Sequence, residues 1–556
     1  MRAASPVTWH KCVRQAPRAP TAPGRIEPAA MSVDTIVVGG GSAGCCVAAR
    51  LSEDPDHRVL VLEAGRRDAW YELLLHMPAG LSRVLGNPRY DWRYSSEPEP
   101  FMGGRRIAHA RGKVLGGSSS INGMIFVRGH PGDFDGWAQA EGMEGWSWEG
   151  CLPWFRTSET ALWGDPALRG HSGPLELELG PCTNPLFGAF FEAMAQAGYP
   201  RAADYNGGAQ EGHTAFDRNI RKGTRLSAAR AYLHPVLARP NLSVRTGCQT
   251  ARVLLEGTRA VGVELLNGER LLAGRVVLCA GAIGSPQLLQ VSGVGPEQVL
   301  REAEVPVLHD LPGVGENLQD HLEVYVQHAC AQPVSVAPAL RWWNQPWIGL
   351  EWLLTRTGPA ATNHFEAGGF LKTTPEAPYP DLQLHFLPLA VRYDGSSPVA
   401  GHGYQIHAGP NLAEARGWVR IRSGDVREHP RLQFNYLSTE RDRRAWVTVV
   451  RKVREILDQP AFQPFSDGEI SPGPEVTSDD DILAWVAQDA ETALHPSCTC
   501  KMGRDALSVV DPDDLSVHGL QGLHVVDASV MPSITNGNLY APTMMIAEKA
   551  SAALRS

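Results

Sequence analysis

The chain has 556 residues, a net charge of -9, and 43% hydrophobic against 20% charged residues; it exceeds the size at which one hydrophobic core stops growing, so two lobes with room for a cofactor are expected. This composition excludes disorder over most of the length, and the acidic balance leaves no basic surface for nucleic acid. No apolar run approaches the roughly 20 residues that span a bilayer as a helix, and 10 Cys without a secreted framework's spacing or a signal-peptide apolar run point to a reducing compartment.

Residues 1–30 carry Arg2, Lys11, Arg14, Arg18 and Arg25, five Pro, and no acid before Glu27. They read as a mitochondrial transit segment or as sequence upstream of a start at Met31. Five Pro oppose the amphipathic helix of a transit peptide, so the second reading is the expectation, and with it a cytoplasmic protein.

Asp34–Val38 is a short β-branched run that leads into Gly39-Gly-Gly41-Ser42-Ala43-Gly44 and a helix over Cys45–Leu51. This is strand, GxGxxG, helix. Gly39 permits the tight turn, Gly41 lets a pyrophosphate approach the backbone, Gly44 lets helix and strand pack closely, and the helix N-terminus faces the phosphates. A second strand, Arg58–Leu62, ends in Glu63, 19 residues after Gly44, where an acid reaches adenosine ribose hydroxyls. Two later runs, Arg275–Gly281 and Leu523–Ser529, read as buried strands returning to the same parallel sheet. Only one GxGxxG follows a suitable strand, which favours one tightly held flavin over an exchangeable second dinucleotide.

Gly112-Lys-Val-Leu-Gly-Gly-Ser-Ser-Ser-Ile-Asn122, continuing through Phe126 and Gly129, and Gly281-Ala-Ile-Gly-Ser-Pro-Gln-Leu-Leu-Gln-Val-Ser-Gly-Val-Gly295 resemble the two signatures of the glucose-methanol-choline (GMC) oxidoreductases. The resemblance runs from Val33 to Leu554. It is closest to the choline-oxidising members in Pro312–Glu323, Trp342–Pro346, Asn363–Phe370 and His495–Gly503. It implies an α/β chain with a Rossmann-like FAD-binding domain on a parallel sheet (31–160, 220–325 and 480–556) and a substrate domain with a mostly antiparallel sheet (161–219 and 326–479). It also implies cofactor contacts at Gly116, Gly117, Ser118, Asn122, Gly123 and Asp527. Members that attach FAD through a histidine carry it where this chain has Ile121, so non-covalent FAD is expected. Tyr540 stands where many relatives have a second Asn.

Alcohol oxidation removes a proton from oxygen and a hydride from carbon, so the site needs a base, and histidine suits it; position alone selects none of the 19 His. By resemblance, His495 matches the family's catalytic His and Asn538 its His-or-Asn partner. Glu323 matches the acid that meets choline's quaternary ammonium, and His385 a second substrate-side histidine. A carboxylate desolvated without a cation is costly, so a buried Glu323 would argue for a cationic ligand or a further partner. The implied reaction is choline to betaine aldehyde by hydride transfer to flavin N5, with a second oxidation to glycine betaine left open. The alternatives are oxidation of another primary alcohol and a non-redox FAD-containing lyase. The acceptor is open, with a quinone or respiratory chain expected by analogy, as is peripheral contact with an inner membrane. Trp342, Trp343 and Trp347 are expected to wall a cation, pack the lobe or shape the entrance. Cys498 and Cys500 form a CxC without the further ligands of a metal site.

Overall fold

Because 36–38 of β1 (Val33–Val38), 59–62 of β2 (Val59–Glu63) and the end of Arg270–Leu278 are runs of Val, Ile and Leu with both faces buried, they read as central strands of a parallel sheet. The computed structural model, which describes residues 33–392 and 401–555, shows that sheet. The expectations for residues 1–30 fall outside the described residues.

In chain order, β1 leads through the glycine loop to α1 (Ser42–Leu51) and β2. There follow β3 (Gly212–Ala215), β4 (Leu242–Thr246), β5 (Thr250–Glu256), β6 (Arg259–Leu265), β7 (Arg270–Leu278) and α2 (Gly281–Val291). The remaining elements used below are β8 (Leu322–Cys330), α3 (Gln345–Thr355), β9 (Ala367–Leu371), β10 (Leu382–Leu387), β11 (Gly403–Pro410), β12 (Ser466–Ser471), β13 (Leu523–Val525) and α4 (Tyr540–Arg555).

One seven-stranded sheet has the order β4-β2-β1-β7-β6-β5, with β13 also on β7. The pairs β4–β2, β2–β1, β1–β7 and β7–β13 are parallel. Its start makes β7 a hybrid: Arg270–Leu272 pair antiparallel with β6, and from Ala273 onward the strand runs beside β1. Both late runs expected to return to the nucleotide sheet therefore join it. A second seven-stranded sheet, β12-β8-β11-β10-β9-β3 with Glu491–Thr492 also on β8, has only antiparallel pairs.

Eight of the ten residues of α1 are buried, and its outer end is tied to α4 by a bidentate pair: Arg50 Nε and Nη2 donate to Glu548 at 2.7 and 2.8 Å. Tyr232 OH donates to the same carboxylate at 2.8 Å, which satisfies a group only 2% exposed.

Two of the three expectations for the tryptophans, packing the lobe and walling a cation, need correction. Trp342, Trp343 and Trp347 are 76, 51 and 72% exposed, and only Trp352 of α3 is buried. They neither pack the interior nor line the cavity described below. The cause is local: α3 is apolar on most of its circumference, and among the described residues only one side of it is covered.

Gly44 has no room for a side chain, because a Cβ there would lie 1.9 Å from the Gly39 carbonyl oxygen. Gly44→Ala should therefore cost about 1–3 kcal/mol of stability. Gly136→Ala, in the helix Pro131–Trp137 and with nothing within 4 Å of the new Cβ, should be neutral or mildly stabilising. Thermal unfolding midpoints of the two variants check the contrast.

Candidate active site

The carboxyl ends of the parallel strands open into one cavity, where open α/β sheets bind ligands. Its walls include Gly39, Gly41, Ser42 and Ala43 after β1, Glu63 ending β2, Cys248 beyond β4, Cys279–Gly281 beyond β7, and Asp527 beyond β13. Gly117, Ser118, Ile121, Asn122 and Gly123 line it too, as do Glu323, Phe365, His385, His495, Asn538 and Tyr540. Gly44 and Gly116 lie behind the wall. Gly116, at φ +88, donates its N–H to the Gly40 carbonyl at 2.7 Å and so ties the two glycine loops together.

The residues present fit FAD. Helix α1 starts at Gly41 with no side-chain cap, so its first N–H groups are left for an anion. A Cβ on Gly117 would lie 2.7 Å from the Gly41 Cα, so the narrowest part of the wall is bare backbone. Three buried polar atoms of the lining, Thr250 Oγ1, His385 Nε2 and Tyr540 OH, have no protein partner.

Three further lining residues are held by their neighbours. Glu63 accepts the N–H of Gly40 at 2.9 Å on one oxygen and of Gly65 at 2.7 Å on the other, and burial pushes its carboxyl up to about 7. Asp527 accepts from Gly281 N, Ser285 Oγ and Ser529 N, joining the ends of β7 and β13 to α2. Asn122 Oδ1 accepts from Met124 N and from Arg225 Nη1 at 2.8 Å. A guanidinium only donates, so this bond fixes the amide with Nδ2 free to turn to the cavity.

His495 follows Leu494, a residue at φ +66. That left-handed conformation costs a side-chain-bearing residue free energy and persists because the surroundings hold it. Arg111 Nη2 donates to the Leu494 carbonyl at 2.6 Å, Leu494 N donates to Thr492 Oγ1 at 2.8 Å, and His495 N donates to Asp320 Oδ1 at 2.7 Å. Asp320 Oδ2 also accepts from Tyr436 OH and Thr492 Oγ1, both at 2.5 Å. Burial pushes the Asp320 carboxyl up to about 6 against these hydrogen bonds.

The His495 ring has a partner on each side: Nε2 lies 3.1 Å from Asn538 Nδ2, and Nδ1 lies 3.0 Å from His321 Nδ1. Asn538 Oδ1 accepts in turn from Gln383 Nε2 at 3.1 Å. Burial, with His321, Arg111 and His385 nearby, holds the His495 imidazole well below its usual pKa. Burial likewise pushes His321 and His385 down to about 4. All three rings are neutral near pH 7, the form in which an imidazole accepts a proton.

Glu323 is 3% exposed, with Tyr325 OH and His407 Nδ1 each 3.4 Å from its Oε1. A solvated strand-edge role is thereby excluded. Strand register explains the grouping. Tyr325, His407 and His385 are consecutive cross-strand partners on β8, β11 and β10, so they share one face; Glu323 and Gln383, two residues from Tyr325 and His385, share it too. Phe365 packs edge-on to both His385 and His407.

The structure brings His495, Asn538, Glu323 and His385 to one cavity with the nucleotide loop. Sequence reasoning did not single out His321, Gln383, His407, Phe365, Tyr325 or Asp320. The period-2 placement of Gln383 with His385 and of Glu323 with Tyr325 was available as a signal. It was masked because β8 and β10 are buried on both faces.

Family models described as GMC oxidoreductase match residues 33–323 and 413–547. The chain is 52% identical over 531 residues to the "Oxygen-dependent choline dehydrogenase" of Staphylococcus aureus, covering 94% of this chain and 93% of that one. Among solved structures it is similar to pyridoxine 4-oxidase from Mesorbium loti, with 35% identity, TM-score 0.85, and 94% and 99% of the two chains covered. It is also similar to a formate oxidase variant from Aspergillus oryzae, with 25% identity, TM-score 0.88, and 94% and 98% covered.

His385 is neutral in the fold and protonates near 6.5 when unfolded, so the stability it contributes is intact above pH 6.5 and is lost as pH falls toward about 4. At pH 5 the loss is about 2 kcal/mol. Buried carboxyls with raised values, such as Asp320, change in the opposite sense. The comparison with His385→Gln isolates the histidine: between pH 7 and 5, denaturant midpoints of the wild type should drop relative to those of the variant.

Proposed function

The chain belongs to the GMC oxidoreductase family, and from that premise we propose that this FAD-dependent oxidoreductase oxidises choline to betaine aldehyde. The observation that carries the substrate assignment is Glu323, a carboxylate held in the interior of the same cavity as a neutral, hydrogen-bonded histidine pair. A trimethylammonium group has no hydrogen to donate and is held by charge and aromatic faces; Glu323 supplies the charge and Phe365, beside it in the lining, the face. The relative at 52% identity is named for choline, which supports the same reading.

The residues divide the work as follows. The glycine loop and α1, Glu63, Asn122 and Asp527 hold FAD, and Ile121 offers its flavin no nucleophile, so the cofactor is bound non-covalently. When bound, FAD supplies the acceptor for the hydride that leaves the substrate carbon. His495 Nε2 takes the hydroxyl proton, and Asn538 Nδ2, 3.1 Å from that nitrogen, turns its N–H from Nε2 to the oxygen as its charge develops. His385, whose Nε2 has no protein partner, donates to or accepts from the substrate oxygen, including that of a hydrated aldehyde if a second oxidation to glycine betaine follows. Glu323 keeps the cation in place throughout. No helix among the described residues is long and apolar enough to cross a membrane.

The test is anaerobic mixing of the FAD-loaded protein with choline while the visible flavin spectrum is followed. Bleaching is expected, and re-aeration against an added quinone then identifies the electron acceptor. Glu323→Gln should weaken choline binding by about 10-fold or more while leaving the uncharged isostere, with carbon in place of nitrogen, nearly unaffected. His495→Gln should slow bleaching by about 100-fold or more. A spectrum unchanged by choline but bleached by another alcohol would reassign the substrate, and one bleached by no alcohol would favour a lyase.

A further inference from the structure

We propose that His321 is a positioning residue that sets the tautomer of His495, so that Nε2 is the bare, proton-accepting nitrogen and Nδ1 carries the hydrogen. The argument starts from an atom with no choice. His321 Nε2 lies 3.0 Å from the backbone carbonyl oxygen of Asn411, and a carbonyl only accepts, so His321 Nε2 carries its hydrogen. Burial keeps His321 neutral, with its pKa down to about 4, so its other nitrogen, Nδ1, is bare. That bare nitrogen faces His495 Nδ1 at 3.0 Å, and two nitrogens at that distance need one hydrogen between them, which His495 must supply.

The remaining steps follow without adjustment. With its hydrogen on Nδ1, His495 presents a lone pair at Nε2, and the Asn538 amide 3.1 Å away turns its N–H to it. Asn538 Oδ1 is then the atom on the other side, where Gln383 Nε2 donates at 3.1 Å. One direction of donation thus runs from Gln383 through Asn538 to His495 Nε2, and a second runs from His495 Nδ1 through His321 to Asn411. They meet at one ring and agree. Asp320 and Arg111 do not compete for the ring nitrogens of His495: Asp320 takes its backbone N–H, and Arg111 binds the Leu494 carbonyl.

As a statement about catalysis this rests on the function proposed above; as a statement about the ring it does not, and the experiment separates the two. FAD-loaded protein labelled with nitrogen-15 at histidine is examined by NMR, and the resonance pair lost in His495→Gln belongs to His495. The wild type is expected to show Nδ1 protonated and Nε2 bare; a protonated Nε2 would overturn the proposal, whichever alcohol reduces the flavin. In His321→Leu the two tautomers should mix, and flavin reduction at saturating alcohol should slow by about 100-fold with substrate affinity little changed. His321→Gln, whose amide can donate to Asn411 and accept from His495, should recover much of the rate. A His321→Leu protein with the wild-type tautomer and rate would also overturn it. Should that variant not fold, the wild-type spectrum decides alone. The expected tautomer in a protein that choline does not bleach would sustain the inference and remove the substrate assignment.

Discussion

The site is assembled from two sheets that share no strand, and the constraint that makes it one object is the buried carboxylate of Asp320. It stands just before β8, where the chain enters the antiparallel sheet, and it accepts hydrogen bonds from His495 N, Thr492 Oγ1 and Tyr436 OH. Around it the backbone of 319–323 pairs with that of 491–497, through Gln319 with Ser497, His321 with Ala493 and Leu322 with Thr492. The unfavourable conformation of Leu494 is affordable only inside that frame. Beyond it, Cys498, Cys500 and Met502 donate in turn to the backbone of 528–530, directly after Asp527. A single run of chain therefore connects the histidine ring to the loop beyond β13.

Within this frame polarity is selective. The rings of His321, His385 and His495 are all held neutral by burial, whereas the carboxylate Glu323 stands two residues after His321, at the start of β8. Neutral imidazoles cost less to bury than ions, and the rings of His321 and His495 have local partners while His385 Nε2 is left for the substrate; a carboxylate in the same place is more expensive and points to what it is there to meet. The wall near the glycine loops shows the opposite economy, with backbone and small side chains that leave room and donors.

The fold's nucleotide half was legible because its requirements are local. A turn at Gly39, close packing at Gly44 and an acid ending β2 are properties of neighbouring residues, and they read directly as strand, GxGxxG and helix. Recognition of His495, Asn538, Glu323 and His385 rested on resemblance, since nothing in local pattern separates them from the remaining histidines and acids. Gln383 and His407 belong to the site through the register of β10 against β11, a long-range property no window of sequence contains. His321 sat inside a segment already matched to the family, and only the distance to His495 Nδ1 reveals what it does. Packing of the lobe by the tryptophans was ruled out for a different reason: their exposure is set by what covers α3, which is equally non-local.

The charge arrangement carries a consequence for the proposed chemistry. Choline beside Glu323 makes a neutral pair, and moving the hydroxyl proton to His495 Nε2 creates charges of opposite sign without changing the total. An imidazolium is disfavoured at His495 by burial, so it is tolerable chiefly while the alkoxide lies against it and the Nδ1 hydrogen is shared with His321. The depressed basicity of His495 thus makes the proton's stay conditional on the substrate oxygen remaining in place. An uncharged alcohol would gain nothing from Glu323, whereas a cation gains its attraction in the same interior. On this reasoning preference for a cation follows from electrostatic balance across the whole cavity, and Glu323 acts as one side of a neutral set that includes the substrate.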